Sequence, residues 1–555
     1  MKKIYLFIVI CLIISLNGCD FLDTRIDSNF TQENIDSDYS KLKNIGYAPY
    51  TFLQNGFTVV DGNTIAAAIS DEAEQTSTAS FTQFFNNGSW NAYYNPMDIY
   101  ASTYMAIRAA NYFLEYSADY KEKLALNRDT LSDSGTAYHR DVDDIGWMRA
   151  EVHILRAYFY FELIKRYGGV PLVKQTLSTG DNLDILRTNY DDIVEFIVTE
   201  IDENKDQLQA NWKQYDNSRD GRIDLGMALA LKSRILLYAA SPLHNESNDI
   251  AKWEKAAEAA YDVINLNRYI LNDSYRDLFL ETNSATSNEV IWAIRCGSSN
   301  GLEKANYPVG TGGGNSGTTP SQNLVADYEY IGAPDPNDPY ANRDPRLTAS
   351  VVTNNSTWTG RTIEIWPGGK DSYANINSSR TGYYLEKFLT DNMDLLHNAT
   401  SIHNWIVFRY AEVLLNYAEA MNEAYGPDNN NGYGLTAREA VNLVRNRTSV
   451  NMPPIDVTTS DQAAMRKKIK HERRIELVFE DHRYWDLIRW KDAEAELNKP
   501  LMGVRATKIG DNSFSYEEFN VENRKFIAPK MYYFPIPNNE IQKSNGILIQ
   551  NPGWE

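Results

Sequence analysis

Apolar positions recur at three- and four-residue steps through much of this chain. Residues 226–240, GMALALKSRILLYAA, put Ala228, Leu231, Ile235 and Tyr238 on one helical face, and Ser241-Pro242 ends the run. Residues 253–266, WEKAAEAAYDVINL, start again with Trp253, Ala256, Ala257, Ala260, Tyr261 and Ile264 on one face. Two helices, a short turn and small residues where backbones approach predict a tetratricopeptide-like pair. Residues 405–424 and 436–444 predict a second pair, and 145–167 with 190–208 a third. A fourth begins at 97–116. Such units cannot bury their apolar faces alone, so they must stack on neighbours. Their spacing is irregular, which excludes a clean tandem array.

Between residues 296 and 383 the helical pattern stops. Gly312-Gly313-Gly314, Asp335-Pro336, Asp338-Pro339 and Pro367-Gly368-Gly369 mark turns and long loops there, and loops on a helical scaffold often carry function. Residues 290–294 and 362–366 read as short strands. The expected fold is mainly α: a superhelical scaffold of tetratricopeptide-like helix pairs, a long loop-rich region at about 296–383, and a few short strands.

The chain start, MKKIYLFIVICLIISLNGC, changes the picture of where such a scaffold works. Lys2 and Lys3 precede an apolar stretch, 4–16, of signal-peptide length and too short to span a bilayer comfortably. Leu16-Asn17-Gly18-Cys19 resembles a bacterial lipobox. In that chemistry the chain is cut after Gly18, so that 1–18 is a signal peptide, and Cys19 is lipidated. At about 0.8 kcal/mol per buried methylene, two or three acyl chains anchor a protein firmly. The alternatives are an ordinary secretory signal ending in a chance cysteine, or an uncleaved membrane helix, against which stands the lack of apolar continuation after Cys19.

Composition narrows the partners. A formal charge of -20 excludes counterion-release binding to nucleic acid. After cleavage only Cys19 and Cys296 remain, so no structural disulfide is available and stability must come from the core. The 36 tyrosines and 11 tryptophans suit sugar stacking and helical-repeat cores alike.

Several runs resemble the SusD/RagB family. They are Gly221-Arg222 with LGMALALKSRILLYAASPLHN, RYAEVLLNYAEAMNEA at 409–424, HERRIELVFEDHRYWDLIRW at 471–490, and the close YYFPIPNNEI…NPGWE. Asn342-Arg343-Asp344-Pro345-Arg346-Leu347 and Thr381-Gly382-Tyr383-Tyr384 match too, and the resemblance extends from Cys19 to the last residues, which implies one SusD-like domain over 19–555. It also implies a Bacteroidetes outer-membrane lipoprotein that sits on a SusC-like, TonB-dependent transporter and delivers oligosaccharides, or sometimes peptides, into it. The acidic residues Asp20 and Asp23 just after Cys19 resemble the surface-export signal of such lipoproteins. No cofactor is implied.

Several runs admit both a chemical role and a plain structural one. Glu476 and Glu480, one turn apart if 473–490 is a single helix, could serve a surface glycosidase. Arg473, Arg474 and Arg483 beside them favour ion pairing instead. Asp216-Asn217-Ser218-Arg219-Asp220-Gly221 looks briefly like a calcium loop, but Met227 stands at its twelfth position, and a helix start reads better. The histidines lack zinc spacing. Cys296 reads as a buried small apolar residue. Residues 70–94, SDEAEQTSTASFTQFFNNGSWNAYY, differ in mixing acceptors, amides and aromatics without a core-like period, as sugar sites require. Family resemblance tips Asp71 and Trp90 towards ligand contact. Asn91 and Tyr93 join them, with Trp366 and Trp358 as second candidates in the loop-rich region. The alternative is that Phe84, Phe85 and Trp90 pack inward.

Overall fold

A computed structural model describes residues 38–59, 64–126, 128–132, 137–181 and 184–555. The signal segment 1–18 and Cys19 lie outside them.

The predicted helix pairs form, each ended by local chemistry. The helix Leu225–Ala240 starts where Asp224 accepts from the Met227 amide at 3.1 Å and stops at Ser241 before Pro242. Its partner, Ile250–Asn265, is capped by Asp249. Ala437–Arg445 opens with a reciprocal cap between Thr436 and Glu439. Tyr410–Tyr425 ends at Gly426, whose φ of 86° suits a residue without a Cβ. These four helices and Gln462–Glu476 share one apolar core built from Leu237, Trp253, Ala257, Leu414, Tyr417, Met421 and Val441. The third pair is Ala137–Tyr167, longer than predicted, with Tyr190–Asn204. The fourth run is the helix Tyr100–Tyr116, which packs on Ala137–Tyr167.

Four expectations need correction. Residues 405–409 are a strand, not the start of a helix: Trp-Ile-Val-Phe-Arg is β-branched and aromatic, and pairs antiparallel with Val290–Ile294. The run 473–490 is not one helix. It breaks after Glu476, passes Phe479 (φ 65°) and Asp481 (φ 62°), and resumes at Arg483–Arg489. The strand expected at 362–366 is only Arg361–Thr362, paired with Thr357–Trp358. Within 296–383 three short helices interrupt the loops, at Gly301–Asn306, Gln322–Asp327 and Arg346–Ser350. Cys296 is half-buried.

A long hairpin, Pro500–Gly510 with Ser513–Asn523, escaped the sequence reading. The sheets among the described residues are two-stranded and antiparallel. The Thr381-Gly382-Tyr383-Tyr384 run docks on this hairpin. Val504 donates to the Thr381 carbonyl at 2.7 Å, and a Cβ on Gly382 would lie 2.1 Å from the Val504 oxygen.

The break after Glu476 builds a buried charge network. Arg409 grips both Glu480 oxygens at 2.6 and 2.7 Å, Glu476 at 2.7 Å and Glu289 at 2.8 Å. Arg447 bonds the same two carboxylates, Glu476 at 2.7 Å and Glu289 at 2.6 Å. Arg346 adds Glu476 at 3.0 Å, and Lys387 holds Glu480 at 2.7 Å. Burial alone would raise the Glu476 carboxyl, but Arg447, Arg409 and Arg346 outweigh it and hold the group far below the usual range. These are long-range buried pairs, not the surface i, i+4 pairs expected.

Arg409→Ala should strand Glu476, Glu480 and Glu289 without their shared partner and cost about 3–5 kcal/mol of stability, read as a lower urea midpoint.

Candidate functional site

The segment 70–94 divides into a buried half and an open half. Asp71 is buried, and both its carboxylate oxygens are taken: Arg483 donates at 2.8 and 2.9 Å and Arg474 at 2.5 Å. Burial would raise its pKa, but the two guanidiniums outweigh that and hold it far below the carboxylate range. Neighbouring Glu72 goes the other way. Burial and the Asp71 charge push it up to about 8, and its Oε1 has no hydrogen-bond partner. Asp71 is therefore buried and spent on two arginines, and its expected ligand role is corrected to a structural one.

Trp90 is corrected likewise. It is 2% exposed and lies in an aromatic cluster, with Phe85 stacked at 4.8 Å, Trp554 at 4.6 Å and Phe534 at 5.0 Å. Trp358 is buried against Tyr307. Trp366 is half-buried, with Phe514 of the hairpin at 5.0 Å and the Lys508 ammonium 5.3 Å from its ring.

Immediately after Trp90 the chain turns outward. Asn91 makes the turn: its Oδ1 accepts from the Tyr93 and Tyr94 amides at 2.9 and 3.2 Å. Tyr93 is thrown into solvent, 83% exposed. Tyr94, 41% exposed, is braced edge-on by Phe84 at 4.8 Å. Facing this turn is the segment Pro535-Ile536-Pro537-Asn538-Asn539, joined to it where the Asn538 amide donates to the Ala92 carbonyl at 2.9 Å. Between the two lies an open cleft of about 500 Å³ lined by residues 91–95, Asp98, Pro535, Pro537, Asn538, Asn539 and Gln542. Asp98 is anchored through Oδ1, which accepts from the Tyr167 hydroxyl and the Tyr100 amide.

Rings and carboxamides around an open cleft can stack on a sugar face and bond its hydroxyls. The structure thus brings Asn91 and Tyr93 together, and leaves Asp71, Trp90 and Trp366 outside the lining. The sequence reading missed Asn95, Asp98, Asn538, Asn539 and Gln542. The signal was present in Pro-Ile-Pro-Asn-Asn, where rigid prolines present two carboxamides, but it lies far from Tyr93 in sequence. A larger groove of about 710 Å³ lies among the helices Tyr190–Asn204, Leu225–Ala240 and Ile250–Asn265. It has no aromatic lining residue, and three of its four lysines are engaged: Lys205 and Lys232 with Asp202, each at 2.8 Å, and Lys252 with Asp191 at 2.9 Å. It is the poorer sugar site. Glu476 and Glu480, spent in buried ion pairs, are not placed for glycosidase work. Among the described residues no group of three or more His, Cys, Asp or Glu is placed to hold a metal ion.

The fold is that of a helical-repeat protein of the tetratricopeptide-like class. The chain belongs to the SusD-like family. A family model described as "SusD family" matches residues 280–554, and one described as "Starch-binding associating with outer membrane" matches residues 20–237. SusD-like protein P25 of Formosa agariphila is 25% identical over 419 residues, 72% of this chain and 71% of that protein. A solved SusD-like protein from Bacteroides fragilis is 26% identical with a TM-score of 0.75, covering 94% of this chain and 98% of that one. Surface glycan-binding protein A from Bacteroides fluxus, 20% identical, shares the fold with a TM-score of 0.65 over 93% and 100% of the two chains.

Trp90→Ala should cost about 3–5 kcal/mol of stability, as for a core tryptophan, and lower the melting temperature clearly. Tyr93→Ala should leave melting unchanged. Glu72 has a raised folded pKa, so the stability it contributes is full below its unfolded value of 4.5 and is lost as pH rises towards about 8. Glu72→Gln should therefore flatten the melting-temperature profile between those pH values and raise its alkaline end.

Proposed function

We propose that this protein is a lipid-anchored, surface-exposed glycan-binding subunit that captures oligosaccharides in the Tyr93 cleft and passes them to a SusC-like, TonB-dependent outer-membrane transporter. The observation that carries the reading is the cleft itself: an exposed tyrosine beside carboxamides, held by a buried aromatic cluster and set on a SusD-like fold. The starch-binding, outer-membrane description of the family model over residues 20–237 supports the ligand class and the location. The lipobox-like run ending at Cys19 supports the anchor. Residues 19–555 act as one functional unit in this reading, and capture and release need no covalent chemistry. Modest affinity suits delivery, since each tenfold in Kd is only about 1.4 kcal/mol.

Mild-detergent extraction and affinity capture of the full-length protein should co-purify a much larger β-barrel receptor, and the Cys19→Ala variant should leave the membrane fraction. Recovery of the protein alone, under conditions that preserve other outer-membrane complexes, counts against the partnership. Retention of the variant in the membrane counts against the anchor.

A further inference from the structure

The cleft has a charge character as well as a shape. Its polar side chains, besides the two tyrosines, are the carboxamides of Asn91, Asn95, Asn538, Asn539 and Gln542 and the carboxylate of Asp98. No lysine, arginine or histidine lines it. The nearby Lys543, next to Gln542, is paired with Glu540 at 2.7 Å. Arg187, which carries charge towards Tyr100, spends its guanidinium on the carbonyls of Tyr167, Gly169 and Ile549 and on Asn551 Oδ1. The single formal charge in the lining is thus negative, on a chain of net charge -20.

We infer that the Tyr93 cleft selects neutral glycans and rejects those bearing uronate or sulfate groups. The inference rests on the reading of the cleft as a glycan site. Anionic sugars are recognised by charge-assisted hydrogen bonds from arginine or lysine, which this lining cannot donate. Setting a like charge near Asp98 adds repulsion, since like-charge juxtaposition at an interface opposes binding strongly. Neutral hydroxyls meet the opposite situation. Asp98 Oδ1 is taken by Tyr167 and Tyr100, while Oδ2 remains an acceptor for a hydroxyl donor. Of the carboxamides, Asn91 Oδ1 is held by the turn, Asn95 Oδ1 accepts from the Met97 amide and Asn539 Oδ1 from the Glu540 amide, which leaves Asn538 and Gln542 to offer paired donors and acceptors, and a tyrosine ring stacks on a sugar face whatever its substituents.

The test uses the full-length protein and its Tyr93→Ala variant against one panel: neutral α- and β-glucan, xylan and galactan hexasaccharides, and oligogalacturonate, alginate and sulfated galactan fragments of equal length. At low salt the strongest binder that loses about tenfold or more in Tyr93→Ala should be neutral, with the anionic fragments at least tenfold weaker. Tyr93-dependent binding that is strongest for an anionic fragment overturns the selectivity and leaves the glycan site standing. Binding that is indifferent to Tyr93→Ala overturns the site, and the selectivity with it. Because Tyr93 is exposed, an unchanged melting curve separates either result from misfolding.

Discussion

The structure depends on keeping a cluster of charges dry and paired. Arg409, at the end of a strand, meets Glu476 at the end of a helix and Glu480 in the break that follows, and Arg447, Arg346 and Lys387 close the set. Removing a partner leaves buried charges short of counter-charge and hydrogen bonds. The network ties the Val290–Ile294 and Trp405–Arg409 strands to the last helices of the scaffold, and so fixes how the loop-rich part joins the helical part. A second arrangement of the same logic, Asp71 between Arg474 and Arg483, pins the start of the 70–94 segment to the same break in the chain.

From that pinned start, the cleft follows by alternation of buried and exposed rings. Phe85 and Trp90 enter the core, stacked on each other, and pack against Phe534, with Trp554 beside Trp90. Tyr93, three residues on, has nowhere to go but outward, because the Asn91 turn reverses the chain. The tryptophan that looked like the ligand platform is its foundation. Its burial fixes the turn's position, and the tyrosine takes the exposed place.

Much of the fold was legible because helix periodicity and caps are local. Residues 225–240, 250–265 and 437–445 declare their starts through Asp224, Asp249 and Thr436. The misread stretches owe their form to distant partners. Residues 405–409 are a strand only because Val290–Ile294 lies beside them, and 477–482 unwinds where Glu476 and Glu480 must face Arg409 from two directions. The hairpin 500–523 does carry a period-two signal on its second strand, Phe514 and Tyr516 then Phe519 and Val521, interrupted at Glu517-Glu518. For the site, the segment 70–94 and the residues Asn91 and Tyr93 were legible from composition. Which aromatic faced water was not, since that is decided by Phe534 and Trp554, near the far end of the chain.

The cleft's two lips, residues 91–98 and 535–542, are separated by most of the chain and meet through a single backbone bond from Asn538 to Ala92 and the aromatic cluster beneath. Contacts of such sequence separation carry a loop-closure cost that neighbouring elements do not meet. A helical pair such as Leu225–Ala240 with Ile250–Asn265 closes over a short turn. The cleft is therefore a property of the finished molecule: a chain in which residues 535–542 are not docked has the outward turn at Asn91 but no facing lip.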